Sequence, residues 1–333
     1  MDFAMRALLL DSYDHGTFRV AETESPLPAA GQLRLRVHAS GVNPIDYKIR
    51  KGQAAFAMPT LPAVIGTDVA GVVTEVGTGV HGFSVGDEVY GLAGGVRGLP
   101  GSLAEYMTVD AAFMARKPVN LSMREAAALP LVALTAWEGL VDRANVQAGQ
   151  KVLVQGGAGG VGHVVVQIAR ALGADVYATA STQKLDLVRE LGATPIDYTT
   201  TSVDEYVKQY TAGKGFDVIY DTVGGPTLEA SLGAVRHYGR IASCAAYGTH
   251  NLALSSLRCA DVMGVFVLYP MLGGERHAHH GDILREVTRL AEAGKVRPVL
   301  DPRHFTLETA LEAHDAVEAG ANVKVVIDVA AGA

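Results

Sequence analysis

Cysteine is almost missing from this chain: Cys244 and Cys259 are the only two in 333 residues. Two thiols cannot build a disulfide framework or a four-thiolate zinc site, and they read as buried thiols in a reducing compartment. Runs of Lys and Arg are missing as well, and the formal net charge is −7. That balance argues against a nucleic-acid backbone or an anionic membrane as partner. No stretch reaches the ~20 apolar residues that cross a bilayer; the apolar segment Val164–Leu172 is broken by Gln167 and Arg170. The opening Met-Asp-Phe-Ala-Met-Arg lacks the basic start and apolar run of a secretion signal. The expectation is a cytoplasmic protein that acts on a small molecule.

What is present is a globular composition, 49% hydrophobic and 19% charged, in a length that suits two domains of roughly 150 residues. The first part reads as short strands at Arg6–Leu10, Phe18–Ala21, Leu33–His38, Gly66–Gly77 and Gly86–Gly91, the pattern of an irregular antiparallel β domain. A helical stretch is expected over Ser122–Arg143, with Asn120 and Ser122 as candidate caps. From Lys151 apolar strands alternate with amphipathic helices, as in a parallel sheet covered on both faces. Strands are expected at Val152–Gln155, Asp175–Ala180, Pro195–Tyr198, Asp217–Asp221, Arg240–Cys244 and Val265–Tyr269. The last third reads as helices Gly281–Glu292 and Leu307–Ala319, then a strand Val323–Val329 that rejoins the first domain.

The sharpest local feature is Gly157-Ala158-Gly159-Gly160-Val161-Gly162. Gly157, Gly159 and Gly162 fit G-x-G-x-x-G between a strand and an amphipathic helix, where backbone N–H groups and the helix dipole receive a pyrophosphate. An NAD site places a carboxylate about 20 residues further on, at the end of the second strand. Here Asp175–Ala180 ends without one, and Ser181-Thr182-Gln183-Lys184 follows. A hydroxyl and an ammonium suit a 2′-phosphate, so NADPH is the expected cofactor.

Further segments appear in order: Gly41-Val42-Asn43-Pro44-Ile45-Asp46, Pro62–Gly71, Gly86–Gly91, Ala127–Pro130, Leu134-Thr135-Ala136 and Asp217–Gly225. Together with the glycine cradle, they resemble the medium-chain dehydrogenase/reductase superfamily over nearly the whole chain. Within it they resemble the zinc-independent quinone oxidoreductases of the zeta-crystallin group. The resemblance implies an α/β fold: a Rossmann doubly wound parallel sheet inserted into a GroES-like, mostly antiparallel β catalytic domain. The catalytic domain would span 1–125 and 270–333, and the NADP-binding domain 126–269. Zinc enzymes of the superfamily carry cysteine and histidine at their metal positions. Asn43 and Thr67 stand at two of these, the third falls near Leu131, and Leu92–Ser102 lacks the cysteines of a structural-zinc loop. Such side chains are poor zinc ligands, so no metal is expected. His277, His279 and His280 read as a solvated loop.

The resemblance also implies roles. Asn43 would lie beside the nicotinamide, and its competing reading is a turn residue before Pro44. Thr135 would contact the nicotinamide end; Tyr198 would pack near the 2′-phosphate and adenine. Thr222, Val223, Cys244 and Ala245 would pass under the ribose and nicotinamide. Tyr47 is the candidate proton donor, displaced by one position from the family's Tyr-Ile-Arg by Tyr47-Lys48-Ile49-Arg50. Ala321-Asn322-Val323-Lys324 departs from the family pattern, so Lys324 is left out of the site. The implied activity is zinc-free, NADPH-dependent hydride transfer to quinones or α,β-unsaturated carbonyl compounds. An enoyl-thioester reductase and a non-catalytic NADPH-binding sensor or structural protein are the alternatives. A homodimer is expected through the apolar strand Val265–Tyr269 at the sheet edge.

Overall fold

The computed structural model describes residues 4–14, 16–321 and 323–330. The chain divides into two compact units, Met1–Leu131 with Leu268–Ala333, and Val132–Val267. The first unit begins with β1 (Ala4–Leu10), β2 (Phe18–Glu24), β3 (Gln32–Val42), β4 (Ala63–Val64), β5 (Asp68–Val76), β6 (Glu88–Leu92), β7 (Tyr106–Asp110) and β8 (Met114–Arg116). β1 pairs antiparallel with β2 and β4 in a three-stranded sheet. β3 organises the rest: Leu33, Leu35, Val37 and Ala39 alternate into the core and are fully buried. β5 can lie close against it because a Cβ at Gly71 would sit 2.3 Å from the Arg36 carbonyl oxygen.

The second unit contains β9 (Lys151–Gln155), β10 (Asp175–Ala180), β11 (Thr194–Asp197), β12 (Phe216–Asp221), β13 (Val235–Ser243) and β14 (Asp261–Gly264). They form one parallel sheet in the order β11-β10-β9-β12-β13-β14. Helices Gly162–Ala171, Leu185–Glu190, Val203–Thr211 and Pro226–Ala234 alternate with the strands. Leu153, Phe216, Ile219, Leu228 and Leu232 pack into a core. The strand order reverses between β9 and β12, which opens the crevice at the strand ends where doubly wound sheets take ligands. The chain then returns to the first unit with β15 (Phe305–Thr306) and β16 (Val325–Asp328). β16 pairs antiparallel with β3 and completes the seven-stranded sheet β15-β16-β3-β5-β6-β8, with β7 also on β3. This is the Rossmann-in-GroES-like architecture that the resemblance implied.

Several local expectations need correction. Val265–Tyr269 is not a strand. The edge strand is β14, and Tyr269–Gly273 is a helical turn with Pro270 in its first turn, where the missing N–H costs nothing. Apolar Val265 and Val267 are buried just beyond β14, with the Val265 N–H still donating to the Ser243 carbonyl of β13 at 2.9 Å. The helix expected from Gly281 starts at His277, so the histidine loop is helical. His280 is buried, its ring 5.6 Å from that of Phe113, and His277 lies 4.6 Å from the same ring. His277 Nδ1 is 3.0 Å from Asp110 Oδ2. Cys259 is exposed rather than buried, because it ends the helix Ala253–Arg258 in the left-handed conformation. Ser122 does cap, in a reciprocal pair with Glu125, whereas the Asn120 side chain donates to the Ala291 carbonyl.

The expected stretch Ser122–Arg143 comes in three pieces, Met123–Ala127, Pro130–Trp137 and a π-helical segment Glu138–Arg143. The wider π turn accommodates Tyr220, which is fully buried and donates from its hydroxyl to the Thr135 carbonyl at 2.5 Å. A Cβ on Gly139 would lie 2.2 Å from the Tyr220 ring. Overpacking of this kind costs about 1–3 kcal/mol. Gly139→Ala is therefore expected to lower the unfolding free energy by that amount, read as a lower urea midpoint, and an unchanged midpoint would show that the ring is free to move.

Candidate active site

The cradle is built where β9 ends. Gly156, at φ +73°, makes the turn, and its N–H donates to Thr179 Oγ1 at 3.0 Å. Thr179 passes its own proton to Gln155 Oε1 at 2.8 Å, which ties β10 to the end of β9. Gly159 N–H closes the loop onto the Gly156 carbonyl at 3.0 Å, and the helix starts at Gly162. A Cβ at Gly162 would sit 2.0 Å from that carbonyl oxygen, and one at Gly157 would sit 2.4 Å from the Ala178 Cβ. Only glycine fits this closely against the Gly156 carbonyl and Ala178 at these two positions. The first turn of helix Gly162–Ala171 carries no acidic residue, so its N-terminal field remains favourable to an anion. The turn fits a dinucleotide diphosphate.

The loops after β12 and β13 lie beside this turn. Thr222 Oγ1 donates to the Gln155 carbonyl at 2.7 Å, and a Cβ on Gly156 would touch both Thr222 and Val223. Fully buried Asp221 organises this loop, accepting from Val223 N, Gly224 N and Ser243 Oγ. Cys244 N–H donates to the Asp221 carbonyl, and Gly224 packs on the Ala245 carbonyl. Burial pushes the Cys244 thiol up to about 12, so it stays protonated. At the end of β10, Ser181 precedes a single 3₁₀ turn, Thr182–Lys184, without capping it through its side chain. Tyr198 is strongly exposed beside it, its N–H donating to the Ala180 carbonyl at 3.3 Å. Ser181, Lys184 and Tyr198 thus share one strand-end surface. β10 ends without a carboxylate, but its register places Asp197 of β11 opposite Ala180.

In the first unit, Asn43 is the N-cap of helix Pro44–Arg50 and is wholly buried. Its amide is fully engaged inward. Nδ2 donates to Asp68 Oδ2 at 2.8 Å and to Thr67 Oγ1 at 3.2 Å. Oδ1 accepts from Lys324 Nζ at 2.5 Å, and Lys324 also reaches the Val42 carbonyl and lies 3.8 Å from Asp68. Asp46 Oδ2 accepts from Asn43 N at 2.7 Å and from Thr67 Oγ1 at 3.3 Å, while its Oδ1 is buried without a partner. Asp68 Oδ1 accepts from Leu131 N at 2.9 Å. Asn43, Thr67 and Leu131, at or near the positions where the resemblance expects zinc ligands, are therefore held together by two carboxylates and one ammonium.

Lys324, left out of the sequence-derived site, sits at its centre, and Asp46 and Asp68 were missed as well. Both reside in segments quoted for the family resemblance, but nothing local shows that they meet Lys324 near the other end of the chain. Tyr47 lies on the same helix as Asn43, half-buried. Thr135 is buried on the helix Pro130–Trp137, with its carbonyl taken by Tyr220.

Burial pushes Asp46 up to about 7, with the Asp68 charge adding to the shift, and Asp68 up to about 6, where Lys324 partly offsets the burial. Burial lowers Lys324, against the pull of both carboxylates. A free aspartate ionises near 3.8. Between that value and about 7 the folded chain holds a proton at Asp46 that the unfolded chain has released. This contribution to stability is full in acid and is lost as pH rises through the folded value. Asp46→Asn removes it. The melting temperature of the variant minus that of the parent is expected to become more positive from about pH 5 to about pH 8. Parallel melting curves across that range would rule out a shifted Asp46.

Comparison with known proteins supplies the remaining observations. The family model described as zinc-binding dehydrogenase matches residues 160–279, and the alcohol dehydrogenase GroES-like domain matches residues 29–119. The chain is 38% identical to a 2-methylene-furan-3-one reductase of Solanum lycopersicum, over 94% of this chain and 77% of that protein. It is 36% identical to a chloroplastic NADPH-dependent alkenal/one oxidoreductase of Arabidopsis thaliana, over 87% of this chain and 70% of the relative. Among solved structures, an alcohol dehydrogenase superfamily protein from Novosphingobium aromaticivorans superposes with a TM-score of 0.95 at 49% identity, covering 98% of this chain and 100% of the other.

Proposed function

The chain belongs to the medium-chain dehydrogenase/reductase superfamily as an NAD(P)H-dependent oxidoreductase, and on that premise we propose that it uses NADPH to reduce α,β-unsaturated carbonyl compounds, and quinones, without zinc. The observation that carries this reading is the wiring of the metal positions. The Asn43 amide is already committed to Lys324 and Asp68, and the Lys324 ammonium beside it would repel a dication. No group of three or more metal-binding side chains occurs among the described residues. The preference for NADPH rests on Ser181, Lys184 and Tyr198 at the carboxylate-free end of β10.

Bound in its reduced form, the nicotinamide supplies a hydride. The chain binds and orients. The Gly156–Gly162 turn presents backbone N–H groups to the diphosphate, and Ser181 and Lys184 offer a hydroxyl and an ammonium to the third phosphate. The Asp46–Asn43–Lys324 network fixes the start of helix Pro44–Arg50 and so the position of Tyr47. An enone that has gained hydride at its β-carbon is left with a negative oxygen, which needs a hydrogen-bond donor and then a proton at the α-carbon. The Tyr47 hydroxyl is the donor in this proposal.

A homodimer and a cytoplasmic location complete the reading. β14 has no described strand on its outer side, and the exposed Cys259 thiol suits a reducing compartment. No helix of the described residues is long and apolar enough to cross a membrane.

With NADPH and a panel of simple enones, quinones and an enoyl thioester, loss of nicotinamide absorbance is expected with the enones first, undiminished by a chelator. Deuterium carried at the cofactor's C4 is expected at the enone β-carbon. Tight NADPH binding with no turnover of any acceptor would sink the enzyme reading and favour a sensor. Tyr47→Phe is expected to lower kcat for enones by roughly a hundredfold while leaving NADPH affinity unchanged. An unaltered kcat would move the donor elsewhere.

A further inference from the structure

We propose that Asp197 and Thr182 form a positioning clamp that makes the Ser181–Lys184 turn selective for NADPH over NADH. The inference rests on the reading of that turn as the seat of the 2′-phosphate. Asp197 ends β11 directly opposite Ala180, the last residue of β10. Its Oδ2 accepts from Thr182 Oγ1 at 2.6 Å. Its Oδ1 accepts from Thr199 Oγ1 at 2.6 Å and from Thr199 N at 2.9 Å. The two threonine hydroxyls lie 3.3 Å apart. One carboxylate thus ties the turn after β10 to the loop after β11, with Tyr198 held between Asp197 and Thr199.

The turn needs such a tie. Thr182–Lys184 is a single 3₁₀ turn, and Ser181 in front of it makes no side-chain cap bond. The turn runs directly into helix Leu185–Glu190, whose six residues are too few to fix it by their own stability. Ser181 and Lys184 can offer a hydroxyl and an ammonium to a phosphate at low entropic cost only if the turn is held before the ligand arrives. The same hydrogen bonds from Thr182 and Thr199 hold the Asp197 carboxyl below the usual range, so the clamp stays charged at neutral pH. The carboxylate could in principle repel the 2′-phosphate instead. Its oxygens, however, accept from hydroxyls on both sides of the strand ends, which is the arrangement of a strut.

The test is direct titration of the full chain with NADP⁺ and with NAD⁺ by calorimetry, for the parent, Thr182→Val, Asp197→Asn and the double variant. The parent is expected to prefer NADP⁺. Each single variant is expected to weaken NADP⁺ binding roughly three- to tenfold, as lost hydrogen bonds to a charged group would, while NAD⁺ binding moves by less than about twofold. The double variant is expected to lose no more than either single change, since the two residues act as one unit. Thr182→Ser, which keeps the hydroxyl, is expected to retain the preference. The proposal is overturned if the variants keep the parental preference, if both affinities fall in parallel, or if Asp197→Asn tightens NADP⁺ binding. A parent with no preference between the two dinucleotides would overturn the 2′-phosphate reading itself, a result visible before any variant is made.

Discussion

The Lys324 ammonium, almost completely removed from water, is the constraint on which the chemistry of the first unit depends. A buried cation survives only where charge and hydrogen bonds replace its hydration. Here Asp68 supplies the charge, while the Asn43 amide and the Val42 carbonyl supply oxygen acceptors. The arrangement is reciprocal. Lys324 fixes which way the Asn43 amide faces, the amide then donates to Asp68 and Thr67, and Asp68 receives the Leu131 N–H. Removing any one member leaves a buried polar group unpaired, so the set behaves as one unit. It also accounts for the position of the C-terminal strand: β16 lies antiparallel on β3, and Lys324 immediately precedes it.

Against this, the glycine cradle was legible from the sequence because everything it needs is local. Gly157 to Gly162, the strand before and the helix after fall within a short window, and Gly157 and Gly162 each have a steric reason to be glycine. The Rossmann rhythm was legible for the same cause, since strand, turn and helix repeat along the chain. The buried network was not. Asn43, Asp46, Thr67, Asp68 and Lys324 come from three separated segments, and only the pairing of β16 with β3 brings the last of them in. Asn43 illustrates the difference. Its position ahead of Pro44 agrees with the turn reading, since it caps helix Pro44–Arg50, but neither reading showed that its amide joins Lys324 and Asp68. The two misread segments have physical causes as well. Val265–Tyr269 is apolar enough for a strand, but Pro270 suits the first turn of a helix. His277 and His280 read as solvated because histidine is polar, yet their imidazole rings pack on Phe113.

The two units follow opposite electrostatic rules, and this shapes how each can change. In the second unit the groups that would meet phosphate are backbone N–H groups, the half-buried Ser181 and Lys184, and the exposed Tyr198. They lie at least partly open to solvent, so substitution there alters affinity with little cost to folding. The first unit closes its charges upon one another away from solvent, and Asp46 and Asp68 keep their protons to unusually high pH because of it. Substitution there is felt by stability first. Cofactor choice in such a scaffold is therefore free to drift by surface exchange at strand ends. The position of helix Pro44–Arg50, and of Tyr47 upon it, is coupled to whether the protein folds at all. A zinc ion would impose the same coupling through coordination. An ammonium between an amide and a carboxylate imposes it through hydrogen bonds.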